Sequence, residues 1–286
     1  MHLVTDRAAD LTPAQLEGLD VHFVPMTITL EGKSYSGGID LQPAEFYALL
    51  EQTESFPVTS QPSAGEFAEL YHSLAQTDPE ILSIHIAAGL SGTINAARAG
   101  AAMVPEANVT IFDSLTLSCP LGWMVQAAGR AIQLGWEKKR ILDQLQKIQA
   151  SSQGLFTLNS LKYLIHGGRI SHMKGLLASV LNIKPIIGPD KQTGTYHLFA
   201  QEFSMNRALN RIPDIAARMF PEKRLRVQLF HGQNSQGVEF LRQTMNRRFE
   251  ALFEPDAVIA PVLGAHTGPS ITGLAVGDLE AFDGLV

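Results

Sequence analysis

ILSIHIAAGLSGTINAA, residues 81–97, carries the reading of the fold. Its first seven residues form a short apolar run rich in isoleucine, and the next six form a turn of small residues, Ala88-Gly89-Leu90-Ser91-Gly92-Thr93. An alanine-rich stretch with helical spacing follows over 94–104. A buried strand, a tight turn and a helix in that order are the repeating unit of a parallel α/β sheet. The hydroxyl of Ser91 stands at the turn, where it can be a nucleophile, part of a phosphate cradle, or a clamp for another anion.

On either side of this stretch, the runs at 2–5, 21–30 and 109–113 read as further strands, and 43–52 and 64–76 as helices. Residues 117–150 read as two consecutive helices broken near Gly135. The first half is therefore expected to be α/β with a largely parallel sheet. The second half is strand-rich. Runs at 154–159, 182–188, 195–201, 225–232, 257–264 and 272–277 read as strands, with helices at 160–167, 205–220 and 234–249. That spacing predicts a mixed-sheet α+β domain. The boundary is placed at Ser151-Ser152-Gln153-Gly154, giving an N-terminal domain over 1–153 and a C-terminal domain over 154–286.

Lys and Arg number 22 against 28 Asp and Glu, a net charge of −6, with no basic block along the chain. Nucleic acid is excluded as an expected partner, since phosphate binding needs clustered cations. The lone cysteine, Cys119, leaves no internal disulfide and no cysteine-rich metal site. No apolar run nears the roughly 20 residues of a membrane span, and MHLVTDRAADL does not read as a leader peptide. The expected setting is the cytoplasm.

The standard chemistries fail on spacing. A nucleophile elbow needs G-x-S-x-G, and in Gly89-Leu90-Ser91-Gly92-Thr93 the second glycine comes one position early. A triad of Ser91, Asp6 and His266 has no local support. Walker A and G-x-G-x-x-G are absent, and the nine histidines include no H-E-x-x-H. Neither a cofactor nor a metal is expected. What remains is a set of polar turns. Ligands of α/β sheets bind outside the carboxyl ends of strands, so the Asp6 and Ser91 turns are placed at one crevice. Thr59 and Ser60 precede the helix at 64–76, where a helix N-terminus favours an anion. Arg169 and His266 are expected to supply charge from the other half, across the domain gap. Each residue also has an ordinary reading: Thr59, Ser60, Ser63, Ser91 and Thr93 as helix caps, Asp6 and Asp10 as caps of a short helix near Pro13. Likewise Arg169 reads as an ion-pair partner, His266 as a turn histidine and Asp113-Ser114 as an Asx turn. The case for a site rests on the motifs occurring together.

Together they resemble the DegV family of fatty-acid-binding proteins. The likeness runs through VTDRAADL (4–11), VPMTITLEGKSYSGGIDLQPAEFY (24–47), TSQPSAGEF (59–67), ILSIHIAAGLSGT (81–93) and VTIFDS (109–114). It continues through LKYLIHGGRIS (161–171), LNIKPII (181–187) and GAHTGPS (264–270). The resemblance implies a two-domain α/β protein holding a long-chain fatty acid. Its carboxylate would be bound by Thr59 and Ser91, with Arg169 and His266 beside it and Ser60, Gly92 and Thr267 as head-group neighbours. It further implies a carrier, not an enzyme, that presents the acid to a separate ATP-dependent fatty acid kinase subunit making an acyl phosphate for phospholipid synthesis. Five positions depart from the family pattern. Arg7 and Ala87-Ala88 stand where hydroxyls are usual, Ser270 replaces a glycine, and Gly37 replaces an acidic residue. Lost hydrogen bonds and an added charge at the mouth are expected from the first three.

An acyl tail needs an apolar slot. HMKGLLASVLNIKPII (172–187) offers Met173, Leu177, Leu181 and Ile183 beside small Gly175 and Ala178; the same pattern is that of an ordinary core helix. Two other functions share these features: a serine hydrolase of acyl esters with Ser91 as nucleophile, and a lipid sensor or chaperone without a kinase partner.

Overall fold

The computed structural model describes residues 1–170, 183–221 and 224–285. Met173, Leu177 and Leu181, expected to line the tail slot, lie outside the described residues. The first half opens with β1 (His2–Asp6), the single-turn α1 (Pro13–Leu16), β2 (Val21–Val24), β3 (Thr27–Leu30), β4 (Lys33–Ser36) and α2 (Pro43–Gln52). Next come β5 (Val58–Ser60), α3 (Ala64–Ala75), β6 (Glu80–His85), α4 (Thr93–Ala102), β7 (Asn108–Asp113), α5 (Ser118–Gln133) and α6 (Lys138–Ala150). In the order β2-β1-β6-β7, four strands form an all-parallel sheet. The fold class read from the strand–turn–helix stretch is the observed one.

The run at 21–30 is not one strand. Pro25 has no N–H for a ladder, and the chain breaks there into β2, in the parallel sheet, and β3, in a separate antiparallel sheet of order β4-β3-β5. Thr59 and Ser60 are accordingly strand residues of β5, with Ile28 opposite Thr59, not caps of α3. The N-terminus of α3 is closed by Ser63 and Glu66: Glu66 N donates to Ser63 Oγ at 3.2 Å and Ser63 N to Glu66 Oε2 at 2.7 Å. That carboxylate already occupies the position expected for a bound anion. Nor do Asp6 and Asp10 cap α1, whose cap is Thr12, paired with Gln15.

The second half contains β8 (Ser152–Thr157), α7 (Lys162–His166), β9 (Lys184–Pro189), β10 (Tyr196–Glu202), α8 (Met205–Met219) and β11 (Leu225–His231). It ends with α9 (Ser235–Asn246), β12 (Ala251–Phe253), β13 (Ala257–Val258), α10 (Pro261–Thr267) and β14 (Thr272–Asp278). They build a mixed sheet, β10-β9-β8-β14-β11-β12, with β13 also on β11. The run at 257–264, read as one strand, is instead a two-residue strand followed by a helix. Pro261 at the first helical position has the φ a helix needs, and the N–H of Ala260 donates to Asp10 Oδ1 at 2.8 Å.

One apolar core joins the two halves: Leu3, Ile84 and Trp123 belong to the same cluster as Phe156, Ile187 and Phe230. Buried polar links stitch it. Asp10 also accepts from Ser118 Oγ at 2.5 Å, Trp123 Nε1 donates to Gln228 at 2.8 Å, and Tyr47 donates to the carbonyl of Ile259 at 3.1 Å. Burial pushes the Asp10 carboxyl from its ordinary 3.8 up to about 7. Between those pH values the folded chain holds a proton that the unfolded chain has lost. The contribution to stability is thus complete below about pH 4 and is lost as pH rises to about 7. From pH 4 to 8, urea titrations should show the wild type losing roughly 2–4 kcal/mol more than Asp10→Asn. Parallel pH profiles for the two proteins would contradict this.

Candidate ligand site at the seam of the sheets

The four residues singled out from separate turns come together. Thr59, Ser91, Arg169 and His266 line one cavity of about 300 Å³, with Ser60 and Gln61 at the same wall. Their carriers differ: β5 presents Thr59, the loop after β6 presents Ser91, the turn after α7 presents Arg169 and α10 presents His266. Gly92 is the N-cap of α4. Thr267 is buried behind the site and donates to the carbonyl of Leu263 at 3.1 Å. Ile183 is buried in the core that joins the sheets.

The hydrogen bonds leave both hydroxyls able to donate into the cavity. His266 Nε2 lies 2.8 Å from Thr59 Oγ1. Burial, together with the positive fields of Arg169 and His166, pushes the imidazole down to about 3, so it is neutral near pH 7. A neutral ring carries one N–H. His266 Nδ1 is buried without a partner, and a bare acceptor is the less costly group to leave there, which puts the proton on Nε2. Nε2–H then donates to Thr59, whose own O–H is free for a ligand. Ser91 Oγ accepts the N–H of Thr93 at 3.3 Å and sits 2.8 Å from Thr93 Oγ1. Arg169 supplies the charge. It is half-buried, donates from Nη1 to the carbonyl of Gly167 at 2.7 Å and from Nε to that of Leu90 at 3.3 Å, and burial lowers its pKa. A guanidinium and two hydroxyls suit an anion.

Asp6 is not at this crevice. It is fully buried and accepts from Ala8 N at 2.8 Å, Ile86 N at 2.9 Å and His85 Nδ1 at 3.0 Å. His85 Nε2 in turn meets Ser83 Oγ at 2.7 Å, and Ser83 meets Tyr71 OH at 2.8 Å. Ser83, His85 and Asp6 thus have the connectivity of a catalytic triad, but all three are 0% exposed and the serine faces a tyrosine. No substrate reaches them. The triad imagined from Ser91, His266 and Asp6 does not form, because each member is engaged elsewhere.

Arg7 does not add charge at the mouth. It lines a second cavity of about 370 Å³, with its guanidinium 4.3 Å above the Phe23 ring. Ala87 is buried against Gly194, and Ser270 Oγ accepts from Asn159 N at 3.0 Å. Asp113-Ser114 does form an Asx turn, with Leu115 N donating to Asp113 Oδ1 at 3.0 Å. Two polar lining residues escaped the sequence reading. Gln61 belongs to the TSQPS turn, its side chain packed on Gly92. Tyr196 opens β10 and has no local signal; burial pushes its phenol well above the usual range. A narrow apolar cavity of about 20 Å³ continues inward, sharing Leu117, Tyr196 and Leu263 and lined further by Phe156, Phe230 and Ile271.

A parallel and a mixed sheet sharing one core, with a polar-mouthed, apolar-floored pocket at their seam, define the class: an α/β protein built around a pocket between two sheets. The chain belongs to the DegV family, whose model, described as an uncharacterised protein of that family, matches residues 1–278. A DegV domain-containing protein of Staphylococcus aureus is 33% identical over 275 residues, covering 96% of this chain and 97% of its own. A solved DegV family protein of Thermus thermophilus, described by its fatty acid binding, superposes with a TM-score of 0.87 at 28% identity, covering 97% of this chain and 99% of that one. A stearic acid-binding protein of Eubacterium ventriosum gives 0.88 at 25% identity, covering 97% and 98%. No helix among the described residues is long and apolar enough to cross a membrane.

Proposed function

We propose that this chain binds a long-chain fatty acid and presents its carboxylate to a separate ATP-dependent kinase subunit, acting as a carrier in the cytoplasm. The observation that carries the reading is the convergence of Thr59, Ser91, Arg169 and His266 on one cavity. The two similar solved structures support the ligand class, being described as fatty-acid- and stearic-acid-binding. The carboxylate is held by the Thr59 and Ser91 hydroxyls within the field of Arg169. The tail runs inward past Leu117, Tyr196 and Leu263, and the halves on either side act as two domains. A kinase partner is supported by the family resemblance.

Tail burial at about 0.8 kcal/mol per CH₂ gives roughly 11 kcal/mol for about fourteen methylenes, and association and ordering costs remove several kcal/mol of that. The tail sets affinity, and the hydroxyls set direction. Mass spectrometry of an organic extract of the purified protein should therefore yield a long-chain fatty acid at close to one per chain. After delipidation, Thr59→Ala and Ser91→Ala should each weaken oleate binding about 10–150-fold, the range of one hydrogen bond to a charged group. Unchanged affinity in both variants would remove the clamp. Acyl phosphate formation on adding a cognate kinase subunit and ATP, and none from either alone, tests the partner.

A further inference from the structure

His2 opens β1 and His22 lies in β2, neighbouring parallel strands at one side of the first sheet, with Val4 opposite His22. A ring nitrogen of each histidine and a carboxylate oxygen of Asp20 lie within 4.8 Å of one another. We propose that His2, Asp20 and His22 form a binding site for a divalent transition-metal ion of the zinc class. It stands at the N-terminal ends of the strands, roughly 13 Å along β1 from the carboxyl ends, and is independent of the fatty-acid reading.

Three observations carry this. The first concerns the tautomer of His2. Thr77 Oγ1 donates its single proton to the carbonyl of Leu74 at 3.0 Å. Towards His2 Nε2, 2.8 Å away, it therefore acts as acceptor. Nε2 carries the ring proton, and Nδ1 is left with a bare lone pair. A hydroxyl or carbonyl fixing one ring nitrogen while the other faces outward is the usual support of a metal-bound histidine. Second, His22 Nε2 is buried with no hydrogen-bond partner, and its 3.7 Å to Asp20 Oδ1 is too long for a hydrogen bond. That distance suits two ligands of one ion. Tetrahedral ligands about 2.0–2.1 Å from zinc stand about 3.3 Å apart. Asp20 is 85% exposed, so its carboxylate can close the remaining gap at little cost. Third, the two imidazoles meet edge to face with centroids 5.5 Å apart, which holds both rings beside one another within reach of a common ion.

Two imidazoles and one carboxylate leave a fourth position for water, a donor set that favours zinc over magnesium or calcium. The histidines come from two strands with α1 between them and Asp20 from the residue before β2, which is why no local motif such as H-E-x-x-H marks them.

The test is titration of zinc chloride into the chelator-treated whole chain, followed by calorimetry in a non-coordinating buffer. One ion per chain is expected, with affinity falling at least about tenfold in His22→Ala and several-fold in Asp20→Asn. Replacing zinc by cobalt should give the visible absorption of a four-coordinate nitrogen–oxygen site in the wild type and not in His22→Ala. Should His22→Ala fail to fold, Asp20→Asn decides the matter, since its side chain is almost wholly in solvent. No saturable zinc binding by the wild type, or equal binding by wild type and Asp20→Asn, would overturn the site.

Discussion

Asp6→Ala should cost about 3–5 kcal/mol of folding stability, because it takes the shared acceptor from three buried donors, each costing about 1–3 kcal/mol when left unpaired. The carboxylate accepts from two backbone N–H groups and from His85, all of which the alanine would leave buried and unpaired. Against a total of roughly 5–15 kcal/mol for a folded domain, the loss is severe. Urea denaturation measures it as a lower midpoint at unchanged slope. If the alanine variant gives too little folded protein, Asp6→Asn keeps an acceptor for the backbone and should lose about 1–3 kcal/mol. A loss below about 1 kcal/mol in both would show that the Tyr71–Ser83–His85–Asp6 chain contributes little. Fatty-acid binding by folded Asp6→Asn should be retained, because none of these four side chains lines the cavity.

Gly167→Ala should damage the site from behind. A Cβ at this position would stand 2.1 Å from His266 Nδ1 and 3.1 Å from the carbonyl of Tyr163. The imidazole has nowhere to retreat: it is 9% exposed and pinned at its other nitrogen by Thr59. It must swing towards the cavity and release Thr59. Overpacking of this kind costs about 1–3 kcal/mol; expressed in ligand binding, that is about 5–150-fold weaker retention of oleate. The double variant Gly167→Ala/His266→Ala removes the clash and should bind no worse than His266→Ala alone, a coupling that a general loss of folding would not show. Wild-type affinity in Gly167→Ala would mean that the histidine does not orient the threonine.

Much of the architecture was legible because local signals agreed with the tertiary outcome. Residues 81–102 have a strand, a small-residue turn and a helix in the order the parallel sheet uses. Proline at the first position of α2 and Ser63 with Glu66 at α3 mark those helix starts. Errors fell where an apolar run fits two structures. At 257–264 hydrophobicity alone cannot separate strand from helix, and the deciding partner, Asp10, lies 250 residues earlier. At 21–30 one proline sends neighbouring residues into different sheets. Thr59, Ser91, Arg169 and His266 were legible as motif residues. Their mutual geometry was not, nor was the neutrality of His266, which comes from burial among partners supplied by distant segments. The same holds for His2 and His22, each an ordinary strand histidine until β1 and β2 lie side by side.

The pairing of Thr59 with His266 spans 207 residues, and this bears on the order of events during synthesis. The last strand of the parallel sheet, β7, ends at Asp113, well before α10 begins at Pro261. All four strands can pair while α10 is still unmade, since chains are synthesised from the N-terminus at about 5–20 residues per second and fold in segments as they emerge. Contacts of such long sequence separation close late. Thr59 and Ser91 therefore exist as a half-built corner until Pro261–Thr267 docks beneath Asp10. The finished cavity is thus a mark of completed folding: a chain that stops short of α10 lacks the wall that His266 supplies.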